Sequence, residues 1–239
     1  MSDGIGHESE IGTSAAEPPC RDPATVNPIR IAIVVLVALC VWIAWPKGDA
    51  VPPRPLLIKA ALKQVDDPVI ILGDSIVEYA TLPHTACGRS IINAGIAGST
   101  TASNLPDMLN KALAGKKAAM IVVSLGLNDA TASFSAEKYR TNYQAILAEL
   151  APSTRRLGIM AVTSAETSSP TRRAELDAVI ASYNMALRSL AIEHRATFIA
   201  PPQMPTPHTV DGIHLNPAGY AVWFQALLSG IETSLCKKA

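Results

Sequence analysis

The sequence predicts an α/β fold, a three-layer αβα sandwich built on a parallel sheet of five strands. Short apolar segments of strand length alternate along the chain with longer segments whose apolar residues recur at helical spacing. Strands that alternate with helices form a parallel sheet that helices cover on both faces. The 239 residues suffice for one such domain and an N-terminal extension.

Five segments are predicted as strands, and the clearest is AAMIVVSLG at residues 118–126, which has a β-branched centre. The first, at residues 69–72, is an apolar run that stops at a Gly-Asp-Ser turn. The other three lie at residues 90–93, 157–162 and 197–200. Five such strands suit the flavodoxin-like order 2-1-3-4-5, in which ligands bind at the carboxyl ends of the strands.

Helical spacing of apolar residues predicts the helices between these strands. They lie at residues 56–65, 101–114, 136–150 and 170–194, and a last helix begins near Asn216. Pro217 follows Asn216, and proline is favoured at the first position of a helix.

Composition divides the chain into four segments. They are a disordered polar tail at residues 1–28, a hydrophobic segment at 29–46, a proline-rich linker at 47–55 and a folded domain at 56–239. Basic and acidic residues number 20 each, so the formal net charge is zero. This balance argues against a nucleic-acid partner, which favours a basic face.

Residues 31–45 form an uncharged apolar run, which we predict to be the core of a transmembrane anchor. Arg30 and Lys47 bracket this run, and its tryptophans suit a membrane interface. Two alternatives stay open, a signal segment cleaved near Ala50 and a buried core helix. The prediction makes the membrane a partner of the chain through residues 31–45.

Polar segments follow four of the predicted strands. They are Gly-Asp-Ser at residues 73–75, NAGIAGST at 93–100, GLND at 126–129 and DGIHLNPAGY at 211–220. Because the carboxyl ends of parallel strands meet at one edge of a sheet, we expect these segments to converge on one cleft.

These four segments resemble, in order, the four sequence blocks of the SGNH, or GDSL, hydrolase superfamily of serine esterases and lipases. The resemblance spans residues 68–231. It implies that Ser75 is the nucleophile, that Asp211 and His214 complete the catalytic set, and that Ser75, Gly98 and Asn128 form the oxyanion hole. Gly95 is the poorer match for the oxyanion glycine. Leu127 departs from the family, many of whose members have a small or hydroxylated residue there.

The chemistry of these residue types supports the same assignment. A serine hydroxyl needs a base to become nucleophilic, and His214 can serve if Asp211 holds its other ring nitrogen. The backbone N–H groups of Ser75 and Gly98 and the amide of Asn128 can donate to an oxyanion. The sequence has no G-x-S-x-G elbow at Ser75, which disfavours the α/β-hydrolase fold.

Simpler roles compete with each catalytic assignment. Ser75 alone fits a helix N-cap, and Asp74 is predicted to satisfy the N–H groups of its turn. His208, Asp211 and His214 form an H-x-x-D-x-x-H set that could suggest a metal. The prolines around this set indicate a loop rather than a metal-binding helix, so no metal and no cofactor are predicted.

The sequence thus predicts a serine-dependent ester hydrolase that works through an acyl-enzyme and acts on a lipid or cell-envelope ester. Two alternatives stay open. One is an O-acyltransferase or acetylesterase acting on a glycan, and the other is a non-catalytic envelope protein that keeps the fold. Residues 163–171 and 201–209 follow the last two strands and are expected to border the cleft. The sequence does not indicate the oligomeric state.

The anchor, the pair of cysteines and the resemblance to this family lead us to predict that the domain lies in the periplasm or outside the cell, and cleavage near Ala50 would secrete it. The charges contradict this orientation, because only Arg21 and Arg30 precede the apolar run, whereas Lys47 and three more basic residues soon follow it. Cys87 and Cys236 suit either a disulfide in an oxidising compartment or two buried thiols.

Overall fold

The computed structural model describes residues 28–44 and 53–236. The chain divides into two compact units, residues 1–50 and 51–239. All but the last residue of the predicted tail at 1–28, and residues 47–52 of the predicted linker, lie outside the described residues.

The described part of the first unit is the helix α1 (Pro28–Ala44). Its 17 residues rise roughly 25 Å, against about 30 Å for the hydrocarbon core of a bilayer. Within residues 28–44 and 53–236, no helix is long and apolar enough to cross a membrane. The transmembrane anchor predicted at residues 29–46 is therefore not supported. The side chains of residues 31–40 are exposed.

The second unit contains a sheet of six strands. They are β1 (Val69–Gly73), β2 (Thr85–Ala86), β3 (Arg89–Gly95), β4 (Met120–Ser124), β5 (Leu157–Met160) and β6 (Thr197–Ile199). Their order is β2-β3-β1-β4-β5-β6, and every neighbouring pair is parallel except β2 with β3. The predicted order of the five parallel strands is confirmed. The predicted count of five is wrong, because the two-residue β2 adds an antiparallel edge.

Seven α-helices are described in this unit. They are α2 (Pro53–Lys63), α3 (Ser75–Glu78), α4 (Leu105–Leu113), α5 (Leu127–Thr131), α6 (Ala136–Leu150), α7 (Pro170–Glu193) and α8 (Pro217–Leu235). The first turn of α2 belongs to the predicted linker, and its Arg54 donates hydrogen bonds to the backbone oxygens of Gly95 and Asn93. The helix predicted at 101–114 begins later, so that Pro106 occupies the first turn, where proline fits.

Helices cover both faces of the sheet. Every residue of β1, β4 and β5 is buried, and successive side chains of a strand point to opposite faces. The hydroxyls of Tyr139 and Tyr143 on α6 donate to the carbonyl oxygens of Leu125 and Val123, at 2.8 Å each. These bonds tie α6 to the end of β4, which leads into the candidate site.

A disulfide joins Cys87, in the turn between β2 and β3, to Cys236 after the end of α8. The Cα atoms of the two residues are 5.5 Å apart, and 149 positions separate them in the sequence. Of the two alternatives that the sequence left open, the structure has the disulfide.

Candidate active site

The segments that follow β1, β3 and β4 meet at one edge of the sheet. In the strand register, the last residue of β1, Gly73, lies beside Gly95 of β3 and Ser124 of β4. The approach is close enough to require glycine: a Cβ on Gly73 would stand 2.5 Å from the Ser124 carbonyl oxygen, and one on Gly95 would stand 2.2 Å from the Glu78 nitrogen. The chain therefore brings three of the four predicted polar segments together at the ends of these strands.

Ser75 is the first residue of α3 and is buried at the end of β1. The N-cap of this helix is Asp74, whose carboxylate accepts the Ile76 N–H at 2.9 Å. The predicted role of Asp74 in its turn is confirmed, and the alternative of Ser75 as the N-cap is wrong. The hydroxyl of Ser75 is thus left for a partner outside the helix.

That partner is His214, whose Nε2 lies 3.0 Å from Ser75 Oγ. His214 Nδ1 lies 2.7 Å from Asp211 Oδ2, and Asp211 Oδ1 accepts the backbone N–H groups of Ile213 and His214. The hydrogen bonds from His214 and Ile213 lower the pKa of Asp211 to about 2. An ionised Asp211 accepts the proton on Nδ1, so Nε2 of neutral His214 can accept the proton of Ser75.

Glu166, in the segment after β5, holds the loop that carries Asp211 and His214. Its carboxylate accepts the backbone N–H groups of His208 and Thr209 and, at 2.6 Å, the Thr209 hydroxyl. These hydrogen bonds, that of the Thr209 hydroxyl foremost, lower the pKa of Glu166. The Glu166 N–H donates to the Gly212 carbonyl oxygen at 2.8 Å. Sequence reasoning missed this residue, because a lone glutamate in a polar loop carries no periodic or motif signal.

Two backbone N–H groups are available to an oxyanion. Among the described residues, the N–H groups of Ser75 and Gly98 donate to no acceptor. Gly98 has φ +76°, which favours glycine, and a Cβ there would meet nothing within 4 Å. Gly95 instead ends β3 in close packing against α3. The geometry favours Gly98 over Gly95.

Asn128 lies at the start of α5, directly after β4. Its Nδ2 donates to the Ser99 carbonyl oxygen at 2.9 Å, which orients the amide toward the segment that contains Gly98. An amide nitrogen carries two hydrogens, so one N–H of Asn128 stays available as a third donor.

The neighbouring Asp129 has a structural role, as predicted. Its buried carboxylate accepts the Thr101 N–H at 3.0 Å and the Thr101 hydroxyl at 2.5 Å. Burial raises the pKa of Asp129, against the effect of these hydrogen bonds. Asp129 thus fastens the end of the Gly98 segment to α5.

Both ring nitrogens of His208, a member of the H-x-x-D-x-x-H set, lie within hydrogen-bond distance of backbone carbonyl oxygens. Its Nδ1 lies 2.8 Å from the Pro205 carbonyl oxygen and its Nε2 lies 3.1 Å from the Ser164 carbonyl oxygen. The residues that the structure describes contain no group of three or more side chains placed to hold a metal ion.

A polar cleft of about 700 Å³ opens beside the Asp211 loop. The predicted border segments 163–171 and 201–209 contribute several of its walls, together with the first turn of α7. These walls include Glu166, Thr167, Ser168, Arg172, Pro207 and Thr209.

Ser75, His214 and Asp211 form one hydrogen-bonded series at the edge of a largely parallel sheet. This arrangement defines the class of the protein, which is an α/β protein with the site geometry of serine hydrolases. The family model described as "GDSL-like Lipase/Acylhydrolase family" matches residues 71–222. The chain belongs to this family, and it is accordingly a carboxylic ester hydrolase. No curated protein sequence matches it significantly.

Solved structures share the fold. An acetylxylan esterase from Geobacillus stearothermophilus is 17% identical, with a TM-score of 0.55 over 69% of this chain and 94% of that one. An alpha/beta hydrolase enzyme from the metagenome of Lake Arreo, Spain, is 18% identical, with a TM-score of 0.55 over 73% and 98%. A Streptococcus pneumonia structure, provisionally described as a platelet activating factor, is 22% identical, with a TM-score of 0.59 over 88% and 100%. At these identities the likeness establishes the fold.

Proposed function

We propose that the chain hydrolyses a lipid or cell-envelope ester through an acyl-enzyme formed on Ser75. The observation that carries the proposal is the series of two hydrogen bonds, 3.0 Å from Ser75 Oγ to His214 Nε2 and 2.7 Å from His214 Nδ1 to Asp211 Oδ2. Family membership supports ester hydrolysis as the reaction.

In the first half of the reaction, Ser75 Oγ attacks the ester carbonyl carbon while His214 Nε2 accepts the hydroxyl proton. The carbonyl oxygen becomes an oxyanion, which the N–H groups of Ser75 and Gly98 and the Asn128 amide stabilise. When the intermediate collapses, the bond to the alcohol oxygen breaks. His214 returns its proton to that oxygen, so the neutral alcohol leaves and an acyl-serine remains.

In the second half, His214 takes a proton from water, and the resulting hydroxide attacks the acyl carbon. Collapse releases the carboxylic acid and returns the proton to Ser75 Oγ. Asp211 stays ionised throughout, because its lowered pKa of about 2 keeps it charged beside the imidazolium. The cycle consumes one water per ester and needs no cofactor.

A fluorophosphonate probe tests the proposal, because it labels a serine only when a base activates it. We expect the wild-type chain to be labelled and to hydrolyse short p-nitrophenyl esters, and Ser75→Ala to lose both activities. Absence of labelling and of hydrolysis in the folded wild-type protein would refute the proposal. It would favour the alternative of an envelope protein that keeps the fold without turnover.

Acyl transfer to a glycan hydroxyl is the second candidate function. The polar cleft beside the Asp211 loop, with its hydroxyl and arginine side chains, is the observation that favours it. A glycan hydroxyl there would replace water in the second half of the reaction. Product analysis with an added oligosaccharide distinguishes the two, since transfer yields an acylated glycan and hydrolysis yields the free acid.

We propose further that the domain works in the periplasm or outside the cell. The disulfide between Cys87 and Cys236 supports this, because such bonds persist in oxidising compartments. Fusion of alkaline phosphatase to the C-terminus tests the location, since that reporter is active only after export. An inactive, stably expressed fusion would contradict the proposal.

A further inference from the structure

A cleft of about 520 Å³ lies between the end of α3 and the start of α8. We call it the aromatic cleft and define it by its lining residues. They are Tyr79, Thr81, Leu215, Pro217, Tyr220, Ala221 and Phe224. Its walls are mostly apolar, and its size falls within the range of small-molecule pockets, roughly 300–1,000 Å³.

The aromatic cleft adjoins the catalytic base. The ring centroid of Tyr79 lies 5.5 Å from that of His214, and Leu215 directly follows His214 in the chain. Tyr79 is also the C-cap of α3, the helix that begins with Ser75. The cleft thus lies between the element that holds the nucleophile and the element that holds the base.

The walls of the aromatic cleft are held in place. The Tyr220 hydroxyl donates to the Ile76 carbonyl oxygen at 2.9 Å, which ties α8 to α3. The ring of Phe224 stacks on that of Tyr220, with centroids 5.5 Å apart. Tyr79 is 57% exposed, so a large part of an aromatic side chain beside the catalytic histidine is left without a protein partner.

The direction of proton transfer decides which part of an ester can occupy the aromatic cleft. His214 Nε2 must reach the leaving oxygen within hydrogen-bond distance, roughly 2.6–3.2 Å, to protonate it. The group attached to that oxygen therefore leaves the site along His214, on whose flank Tyr79 lies. We propose that the aromatic cleft binds the apolar alcohol part of the ester. This inference rests on the proposed function and adds the chemical class of the leaving group, an alkyl or aryl alcohol.

Two ester series test the inference, one that varies the alcohol (methyl, hexyl and benzyl acetate) and one that varies the acid (methyl acetate, hexanoate and octanoate). Burial of the added apolar surface predicts that the wild-type kcat/KM for benzyl acetate exceeds that for methyl acetate about tenfold or more. The readout is this ratio, which cancels any general loss of activity.

Two cleft variants change the space in opposite ways. Ala221→Trp, at an exposed position of α8, fills the cleft, and Phe224→Ala removes one wall. We expect each to lower the ratio for benzyl over methyl acetate by about tenfold. The matched control is Gln225→Trp, which places the same side chain on an exposed position of α8 outside the cleft and should keep the wild-type ratio.

Several outcomes would overturn the inference while leaving the proposed function intact. They are a wild-type enzyme that hydrolyses methyl and benzyl acetate equally, folded cleft variants with an unchanged ratio, and cleft variants that alter selectivity only in the acid series. Absence of any hydrolysis or fluorophosphonate labelling in the wild type would overturn the proposed function and, with it, this inference. Far-UV circular dichroism of each variant establishes that it is folded.

Discussion

The side-chain amide of Asn128 has two N–H groups. One of them donates a hydrogen bond to Ser99, and this bond determines where the second N–H group points. The Ser99 carbonyl oxygen accepts Nδ2 at 2.9 Å, so the nitrogen, not the oxygen, faces the segment that contains Gly98. The remaining N–H is therefore oriented before substrate binds. Preorganised donors of this kind are most effective at an oxyanion, because they need no reorganisation during the reaction.

Replacement of Asn128 by alanine tests this role at the residue scale. We expect Asn128→Ala to lower kcat for a short p-nitrophenyl ester by about 10²–10³, the usual loss for one oxyanion donor. Asn110→Ala, which removes a half-buried amide that bonds to Ser153 and Glu149 rather than to the site, is the control and should stay near the wild-type rate. A loss under about threefold in Asn128→Ala would contradict the role.

Asp74 makes the stability of the fold depend on pH. Burial raises the pKa of its carboxyl to about 7, from an ordinary value of 3.8. Between these two values the unfolded chain has released this proton and the folded chain retains it. The free energy of unfolding therefore falls as the pH rises from about 4 to about 7, and the loss is complete above that range.

Asp74→Asn should remove this dependence, because asparagine keeps the N-cap acceptor and does not ionise. We expect the variant to gain stability relative to wild type as the pH rises from 4 to 7, by on the order of 2–4 kcal/mol. Urea denaturation at pH 4, 5.5, 7 and 8 measures the difference, with Asp177→Asn at an exposed position of α7 as control. Parallel stability curves for Asp74→Asn and wild type would show that the carboxyl is ionised in the folded state.

The four sequence blocks and their resemblance to the SGNH hydrolases were enough to find the main members of the site. Ser75, Asp211 and His214 are hydrogen-bonded to one another in the structure, and Asn128 contacts the segment that contains Gly98. Their roles in the reaction stay predictions. Gly98 was already the better match of the two candidate glycines, and its φ of +76° and open surroundings support that choice.

At the scale of elements, the loop between β6 and α8 depends on a neighbour for its shape. Glu166 binds this loop on both sides of Asp211, through its carboxylate at Thr209 and through its N–H at Gly212. Thr209 and Leu215 form a β-bridge that closes the loop on itself. Loss of the Glu166 carboxylate would free one side of the loop. The position of His214 would then vary, and its 3.0 Å hydrogen bond with Ser75 would form less often.

Glu166→Ala should therefore lower kcat by roughly tenfold or more while KM changes little, since small misplacement of catalytic groups is costly. Glu166→Gln retains an acceptor oxygen and should recover part of the loss. The rate of fluorophosphonate labelling, which reports the activation of Ser75 without turnover, should fall in the same order. Glu175→Ala on the exposed face of α7 is the control, and equal labelling rates in all variants would limit Glu166 to a structural role.

The sequence predicted the long helices and the parallel strands but missed three of the short elements. The helix α6 has the predicted bounds, whereas α3, α5 and β2 were not predicted as elements. Elements of two to five residues contain at most about one helical turn, too few positions for a period to show. The anchor prediction is not supported for a related reason, because composition marks an apolar run, whereas the described helix α1 has 17 residues.

At the scale of the molecule, the disulfide between Cys87 and Cys236 links the edge of the sheet to the end of the last helix. Closing a loop of 149 positions removes much conformational entropy from the unfolded chain. The double variant Cys87→Ser/Cys236→Ser should lose about 3–5 kcal/mol of unfolding free energy. Urea denaturation of this variant, and of the wild type with and without reductant, measures the loss.

Cys40→Ser is the matched control for this prediction, because Cys40 is an exposed free thiol on α1. It should unfold at the wild-type urea concentration, with or without reductant. Wild-type stability in the double variant would mean that packing alone holds α8 on the sheet.

The same disulfide makes residues 87–236 a covalent ring, with the nucleophile outside it and the histidine inside. A protease that cuts the exposed part of the segment at 163–171 would separate Ser75 from His214 in sequence, yet the two pieces would stay linked through the sulfur atoms. The cleaved protein would therefore keep Ser75 and His214 in one covalently linked molecule. Only cleavage combined with reduction of the disulfide would let the two fragments separate.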